Sequence, residues 1–333
     1  MKITFFSTKP YDQDSFEANN AGFGFGLDFH KSHLDAGNAI LAQGSEAVCI
    51  FVNDTADAAT IDALAANGVK LLALRAAGYN NVDLAAAEGK LRVVRVPAYS
   101  PYAVAEHAVA LMMALNRKTH RAYWRTRDGD FSLHGLLGFD MNGKTAGVIG
   151  TGKIARIAIK ILKGFGMNVV AYDIYPDAEY AHQAGFSYVS LDELYALSDI
   201  ITLHCPLTDA THYMINSDSI AKMRGGVMII NTGRGQLIHT NDLIEGLKEK
   251  KVGSAGLDVY EEEGEYFYED RSDKIMDDDV LARLLSFNNV ILTSHQGFFT
   301  GEALRNIAMT TLQNVADFAA GKPLANEVTL EKA

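Results

Sequence analysis

The chain has 333 residues, 48% of them hydrophobic and 21% charged, with a formal net charge of -11 and a pI near 5.4. This length suits about two domains of ordinary globular composition. The acidic balance argues against a nucleic-acid partner, which needs a basic surface. Two cysteines, Cys49 and Cys205, make no disulfide framework, no run approaches the ~18 apolar residues of a membrane span, and the N-terminus does not resemble a signal peptide. We therefore expect a cytoplasmic protein with no membrane partner.

Residues 1–99 alternate short apolar runs with helical stretches, a pattern that predicts a first parallel sheet. The expected strands are 3–7, 48–52, 71–75 and 93–96, and the expected helices 60–67 and 81–88 end at Gly68 and Gly89. After the third of these strands, the small residues of loop 76–80 have N–H groups that could hold a carboxylate. Such a loop is more often only a turn.

A strong helix is predicted from Ser100-Pro101, which combine an N-cap serine with proline at the first helical position. Its wide apolar face suits either a domain junction or a subunit interface. Residues 120–140 read as an irregular connection.

A second and longer βα series begins at residue 146 and predicts a doubly wound parallel sheet. Its six strands are expected near 146–149, 168–172, 199–204, 227–231, 254–258 and 290–293. The clearest helices are 153–165, 241–248 and 279–285, and a last amphipathic helix is expected over 302–319.

The segment from Ala146 to Asp173 has the features of a dinucleotide site. Gly150 permits a tight turn after a strand, Gly152 lets the backbone approach a pyrophosphate, and the next helix directs its free N–H groups at that phosphate. Asp173, 23 residues after Gly150, ends the next strand, where a carboxylate accepts ribose hydroxyls and repels a 2′-phosphate. Ala155 occupies the third glycine position, which governs only helix–strand packing. A glycine-rich turn in an ordinary βα unit is the alternative interpretation.

Reactive side chains directly follow three later strands of the same series. They are Arg234, a carboxylate within Glu261–Glu263, and His295. In an open parallel sheet these positions share one edge with Gly150. Arg234 can bind the carboxylate of a 2-oxo acid, and His295 can exchange a proton with the developing alkoxide while the neighbouring carboxylate orients it. No metal is required.

Each of these residues also has a structural interpretation. A single arginine after a strand is more often a surface charge, most of the ten histidines must be structural, and the glutamates can be only a solvated loop. Cys205 is more simply a small apolar residue than a nucleophile.

Matching motifs run through nearly the whole chain. They are Ala77-Gly78-Tyr79-Asn80-Asn81-Val82-Asp83, Val96-Pro97-Ala98-Tyr99-Ser100-Pro101, Ala105-Glu106-His107, and the ranges 147–154, 203–208, 231–235, 257–261 and 295–298. In these motifs the sequence resembles the D-isomer-specific 2-hydroxyacid dehydrogenases, and within them the fermentative bacterial D-lactate dehydrogenases.

The resemblance implies Arg234, Glu263 and His295 as the catalytic set, which selects one of the three glutamates. It implies that Ala77 and Gly78 bind the substrate carboxylate through backbone N–H groups, with Tyr99 closing over it. The adjacent aromatic residues Phe298 and Phe299 indicate a wall that limits the side-chain pocket. The NAD site would be lined by Gly150, Gly152, Lys153, Ile154, Asp173, Cys205, Pro206, Thr211, Thr232, Gly233 and Asp258.

The same resemblance implies a Rossmann cofactor domain inserted in a flavodoxin-like substrate domain. The substrate domain would comprise residues 1–99 and 299–333, and the NAD-binding domain residues 100–298, with a hinged cleft that closes on a small-molecule substrate. It also implies a homodimer or homotetramer.

We therefore expect reversible reduction of pyruvate to D-lactate by NADH. The same chemistry on a bulkier 2-oxo acid, such as phenylpyruvate or 2-oxoisocaproate, is the first alternative. A non-enzymatic NAD sensor related to the corepressors of this fold is the second.

Overall fold

The computed structural model describes residues 1–330, so residues 331–333, which the sequence assigns to the substrate domain, lie outside it. It divides the chain into two compact units. Unit 1 contains Met1–Ser100 and the described residues from Phe298 onward, and unit 2 contains Pro101–Gly297.

Unit 1 is built on a five-stranded parallel sheet. Its elements up to residue 100 are β1 (Lys2–Phe5), α1 (Pro10–Asn19), β2 (Gly26–Phe29), β3 (Ala47–Ile50), α2 (Ala58–Ala66), β4 (Leu71–Leu74), α3 (Leu84–Ala87) and β5 (Arg92–Val94). The strand order β2-β1-β3-β4-β5 is that of flavodoxin-like folds. β3 and β4 are buried on both faces, which is why they read as continuous apolar runs.

Unit 2 carries a seven-stranded parallel sheet. Its elements are α4 (Pro101–Arg117), α5 (Thr119–Arg127), β6 (Thr145–Ile149), α6 (Lys153–Gly164), β7 (Asn168–Tyr172), α7 (Ala178–Ala184), β8 (Ser187–Tyr188), α8 (Leu191–Leu197), β9 (Ile200–Leu203), α9 (Ser217–Lys222), β10 (Val227–Asn231), α10 (Thr240–Lys248), β11 (Val252–Leu257), α11 (Asp279–Leu285) and β12 (Val290–Leu292). The order β12-β11-β10-β9-β6-β7-β8 is the Rossmann order, with its switch point between β6 and β9.

The last helix, α12 (Gly301–Ala319), returns to unit 1, where it packs against α1 and β4. Thr300 caps it by accepting from the N–H of Ala303. The predicted fold class, two doubly wound α/β sheets, is confirmed.

Several local predictions differ from the structure. The helix expected over 81–88 is only the single turn α3, because Asp83 rather than Asn81 is its N-cap. Strands β2 and β8 were not predicted, since β2 has no fully buried residue and β8 has only two residues. Residues 119–127, expected to be irregular, form α5, a polar helix with no buried residue and hence no apolar period.

The apolar face of α4 is neither a domain junction nor a subunit interface over most of its length. Ala108, Leu111, Met112 and Leu115 belong to the core of unit 2. There α4 packs against α6, β10 and β11. None of the helices within residues 1–330 combines the length and hydropathy needed to cross a lipid bilayer.

Candidate active site

The predicted glycine turn lies at the switch point of the unit 2 sheet. Gly150 follows β6 with φ 87°, and a Cβ there would lie 2.7 Å from the backbone nitrogen of Cys205, which follows β9. Only glycine satisfies both constraints. Gly152 is the N-cap of α6, and a Cβ on it would meet no atom within 4 Å, so the space before the helix is open. Ala155 is fully buried, in agreement with a packing role.

Asp173 lies beside this turn, directly after β7. Its Oδ2 accepts from the N–H (2.6 Å) and the hydroxyl (2.8 Å) of Thr151, and its Oδ1 accepts from the N–H of Tyr175 (2.9 Å). Burial favours the neutral form of the carboxyl, but these hydrogen bonds outweigh it and lower the pKa of Asp173. The group is therefore a carboxylate at neutral pH.

Arg234 is positioned by a turn that Asn231 organises. The buried amide of Asn231, the last residue of β10, donates to the carbonyl of Arg234 (2.8 Å) and accepts from the N–H of Gly233 (3.0 Å). The Arg234 guanidinium donates to the carbonyl of Gly233, and no carboxylate among residues 1–330 pairs with it. A half-buried guanidinium without a carboxylate partner is available to a ligand anion.

His295 and Glu263 form a hydrogen-bonded pair. His295 Nδ1 lies 2.8 Å from Glu263 Oε1, and Glu263 Oε2 accepts from the N–H of Tyr260 (3.1 Å). Because the carboxylate can only accept, Nδ1 carries the proton and Nε2 remains available for a ligand. Gly235 packs on Tyr260, where a Cβ would lie 2.1 Å from its carbonyl oxygen, so the Arg234 turn adjoins the segment that anchors Glu263.

His295 has an unusual backbone conformation, with φ 51°. Its N–H donates to the carbonyls of Asp258 (2.7 Å) and Thr293 (3.0 Å). Left-handed backbone costs a non-glycine residue about 1–2 kcal/mol, so the surrounding contacts must hold it. Such outliers are frequent at functional sites.

The carboxylate of Asp258 supplies those contacts. It is 1% exposed; Oδ1 accepts from the Thr293 hydroxyl (2.5 Å) and the N–H of Gln296 (2.9 Å), and Oδ2 from the N–H of Gly297 (2.7 Å). His107 Nε2, from α4, lies 3.2 Å from Oδ1 and 3.0 Å from the Thr293 hydroxyl. Asp258 thus fixes the loop on both sides of His295.

The remaining predicted cofactor residues lie around the turns after β9 and β10. Thr211 donates to the carbonyl of Pro206 (2.7 Å) and closes the loop that begins at Cys205. Burial raises the pKa of Cys205 to about 11, so it is a neutral thiol at neutral pH. The buried hydroxyl of Thr232 has no hydrogen-bond partner among the described residues.

The predicted substrate residues Ala77, Gly78, Tyr99 and Phe298 belong to unit 1. Ala77 and Gly78 follow β4, and no described residue accepts from their N–H groups. The carbonyl of Ala77 accepts from Arg95 (2.8 Å), which holds the loop. The rings of Tyr99 and Phe51 lie 6.1 and 6.3 Å from the ring of Phe298.

The residues of unit 2 fit a dinucleotide. A glycine cradle, uncapped helix N–H groups and the unpartnered buried hydroxyl of Thr232 are the groups that a pyrophosphate and a nucleotide require. No group of three potential metal ligands was found within residues 1–330.

Sequence reasoning did not identify Asn231, Thr293 or Thr151 as residues that shape the site. Asn231 is the last residue of β10 and Thr293 directly follows β12, so each lies next to residues that were identified, and its position was a usable signal. His107 was named within a motif and given no role in the site, because its distance from Asp258 depends on tertiary structure.

Comparisons with known proteins agree with this geometry. Residues 109–297 match the D-isomer specific 2-hydroxyacid dehydrogenase, NAD binding domain. A 2-hydroxyacid dehydrogenase homolog of Haemophilus influenzae is 53% identical over 98% of this chain and 99% of its own length, and the D-lactate dehydrogenase of Escherichia coli is 52% identical over 98% and 100%. The solved structure of the pyruvate reductase of Chlamydomonas reinhardtii superposes with a TM-score of 0.94, at 47% identity over 98% of each chain.

The chain belongs to the D-isomer specific 2-hydroxyacid dehydrogenase family. It is an NAD-dependent oxidoreductase by family, and the predicted family, enzyme class and cofactor are confirmed.

Proposed function

We propose that the chain reduces pyruvate to D-lactate with NADH, reversibly and in the cytoplasm. The observation that carries the proposal is the pair of His295 and Glu263 on the same sheet edge as an arginine without a carboxylate partner and a glycine turn. The names of its relatives, among them a D-lactate dehydrogenase and a pyruvate reductase, support the substrate and the D-configuration.

Each polar group of unit 2 has one proposed role. Arg234 binds the substrate carboxylate and polarises the oxo group. His295 donates the proton from Nε2 to the developing alkoxide, while Glu263 holds Nδ1–H and stabilises the imidazolium. NADH, when bound, supplies the hydride. In the reverse direction Nε2 of the neutral imidazole removes the hydroxyl proton of lactate.

The residues of unit 1 are proposed to bind the rest of the substrate. The N–H groups of Ala77 and Gly78 bind the carboxylate, and Tyr99 covers it. The rings of Phe51 and Tyr99 lie 6.3 and 6.1 Å from the ring of Phe298, and we propose that these rings limit the side-chain pocket and favour pyruvate over bulkier 2-oxo acids.

A panel of 2-oxo acids tests the proposal. NADH oxidation should be most efficient, in kcat/KM, with pyruvate and weaker with 2-oxoisocaproate and phenylpyruvate, and chiral chromatography should identify D-lactate. Preference for a bulkier acid would show that the aromatic rings do not limit the pocket. NADH binding without turnover of any 2-oxo acid would favour a sensor, and a His295→Gln variant should match that behaviour.

We further propose that the protein is a homo-oligomer, paired through residues 123–139 of unit 2. Trp124, Phe131, Leu133 and Leu137 are 65–88% exposed, and Leu133 and Leu137 line a groove of about 520 Å³. Exposed large apolar side chains concentrated in one short segment are typical of an interaction surface. Sedimentation should give a dimer or tetramer that Leu137→Asp dissociates; a monomeric wild type would refute this.

A further inference from the structure

The hydroxyl of Thr151 has no role in the proposed reaction, yet it is fully engaged. Thr151 is the middle residue of the Gly150–Gly152 turn and is 4% exposed. Its Oγ1 lies 2.8 Å from Asp173 Oδ2 and 2.9 Å from the hydroxyl of Tyr188, the last residue of β8. The hydroxyl oxygen of Tyr188 also accepts from the N–H of Asp177 (3.1 Å).

Only one arrangement of protons allows all of these hydrogen bonds to form together. Asp173 is ionised, because its hydrogen bonds outweigh burial and lower its pKa, and a carboxylate can only accept. Thr151 must therefore donate to Asp173. Its oxygen then accepts from Tyr188, and the Tyr188 oxygen accepts from Asp177 N–H. All three hydrogen bonds point the same way, and hydrogen bonds in such a series polarise one another.

The hydrogen bonds from Thr151 also determine how the Asp173 carboxylate is oriented. Oδ2 accepts two hydrogen bonds from Thr151, Oδ1 accepts one from the N–H of Tyr175, and the N–H of Ile174 also stabilises the carboxylate. The carboxylate cannot rotate without breaking the Thr151 bonds. The carboxylate is thus held in one orientation.

We propose that Thr151 and Tyr188 are positioning residues for cofactor selectivity, which hold the Asp173 carboxylate in the orientation that accepts an adenosine ribose hydroxyl and repels a 2′-phosphate. The inference rests on the proposed role of Asp173 as the acceptor of the ribose hydroxyl. Neither side chain touches the reacting atoms in this proposal. Their effect is on the ratio between two cofactors.

Three variants separate this role from a general structural one. Thr151→Val removes the hydroxyl at nearly constant volume, Thr151→Ser keeps it, and Tyr188→Phe removes only the second link. Tyr180→Phe is the matched control, because the Tyr180 hydroxyl donates to the carbonyl of Arg156 and takes no part in the hydrogen bonds that link Tyr188, Thr151 and Asp173.

The measurement is the ratio of NADPH to NADH dissociation constants, from fluorescence titration, together with the ratio of kcat/KM values for pyruvate reduction. Thr151→Val should lower the preference for NADH roughly tenfold, as loss of one hydrogen bond to a charged group predicts. Tyr188→Phe should lower it less, Thr151→Ser should restore it, and Tyr180→Phe should leave it unchanged. The KM for pyruvate should stay constant throughout.

Two results would overturn the inference. One is an unchanged NADPH-to-NADH ratio in Thr151→Val; the other is an equal loss of affinity for both cofactors, which indicates only a damaged turn. If the wild-type protein fails to reduce pyruvate, the proposed function fails, and the binding ratio still decides the role of Thr151.

Discussion

Replacing Asp258 by asparagine tests whether its carboxylate holds the catalytic histidine in place. An amide has nearly the same shape but only one acceptor oxygen. If that oxygen takes the Oδ1 position, it retains the donors Thr293, Gln296 and His107, and the new NH2 group faces the N–H of Gly297. The opposite orientation leaves all three of the other donors without an acceptor, so the first is favoured.

The cost follows from that one lost acceptor and from the lost charge. A buried donor without an acceptor costs about 1–3 kcal/mol, and the retained hydrogen bonds lose their charge assistance. We take about 2 kcal/mol as the total. If the variant must spend the same free energy to bring His295 back into its left-handed backbone conformation, kcat/KM for pyruvate falls about 30-fold. The Tm for the unfolding of unit 2 falls by about 4–8 °C.

Calorimetry and NADH-linked kinetics measure both effects. Asp199→Asn is the matched control: Asp199 also accepts from a backbone N–H, that of Thr145, but at the start of β6, far along the strands from the carboxyl edge. It should leave kcat/KM within twofold or so of wild type. An Asp258→Asn protein with wild-type Tm and wild-type kcat/KM would refute the assigned role of the carboxylate.

Three further predictions concern single groups. Glu263→Gln should move the alkaline fall of pyruvate reduction to lower pH, because an amide does not stabilise the imidazolium of His295; an unchanged pH profile would separate the two residues. Arg234→Lys should cost about 2–4 kcal/mol in kcat/KM, since a point charge does not replace a bidentate fork, and near-wild-type turnover would show that Arg234 is misassigned. Burial raises the pKa of Cys49 to about 12, so in a Cys205→Ser background a thiol reagent at pH 8 should modify Cys49 only after unfolding.

The positions of most strands were accessible from the sequence because many of the strands are buried on both faces. Runs such as Ile200–Leu203 and Val227–Asn231 have no exposed residue, so they appear as nearly continuous apolar segments. The two-residue edge strand β8 and the solvent-facing helix α5 bury too little to leave such a pattern. Their formation depends on neighbours distant in the sequence, which residue periodicity does not record.

The candidate site divides in the same way. Arg234 and His295 were identified because each directly follows a strand, and the parallel sheet brings strand ends to one edge. The interpretation of Asp258 was incomplete, since the family resemblance implied a cofactor contact, whereas its oxygens take donors from the loop after β12. Position in a fold predicts which side chains meet; the distribution of hydrogen-bond donors decides what each one does.

The backbone of His295 shows how position in the fold and local hydrogen bonding act together. Glycine adopts φ 51° at no steric cost, so a histidine there is unfavourable for folding alone. The structure offsets the cost with hydrogen bonds from the N–H groups of residues 295, 296 and 297 to Asp258. The turn aims Nδ1 at Glu263, and an extended residue at the end of β12 would continue along the strand instead. The strained backbone of His295 brings no benefit except the placement of its side chain. It therefore supports a chemical role for the imidazole more directly than the position of His295 after a strand does.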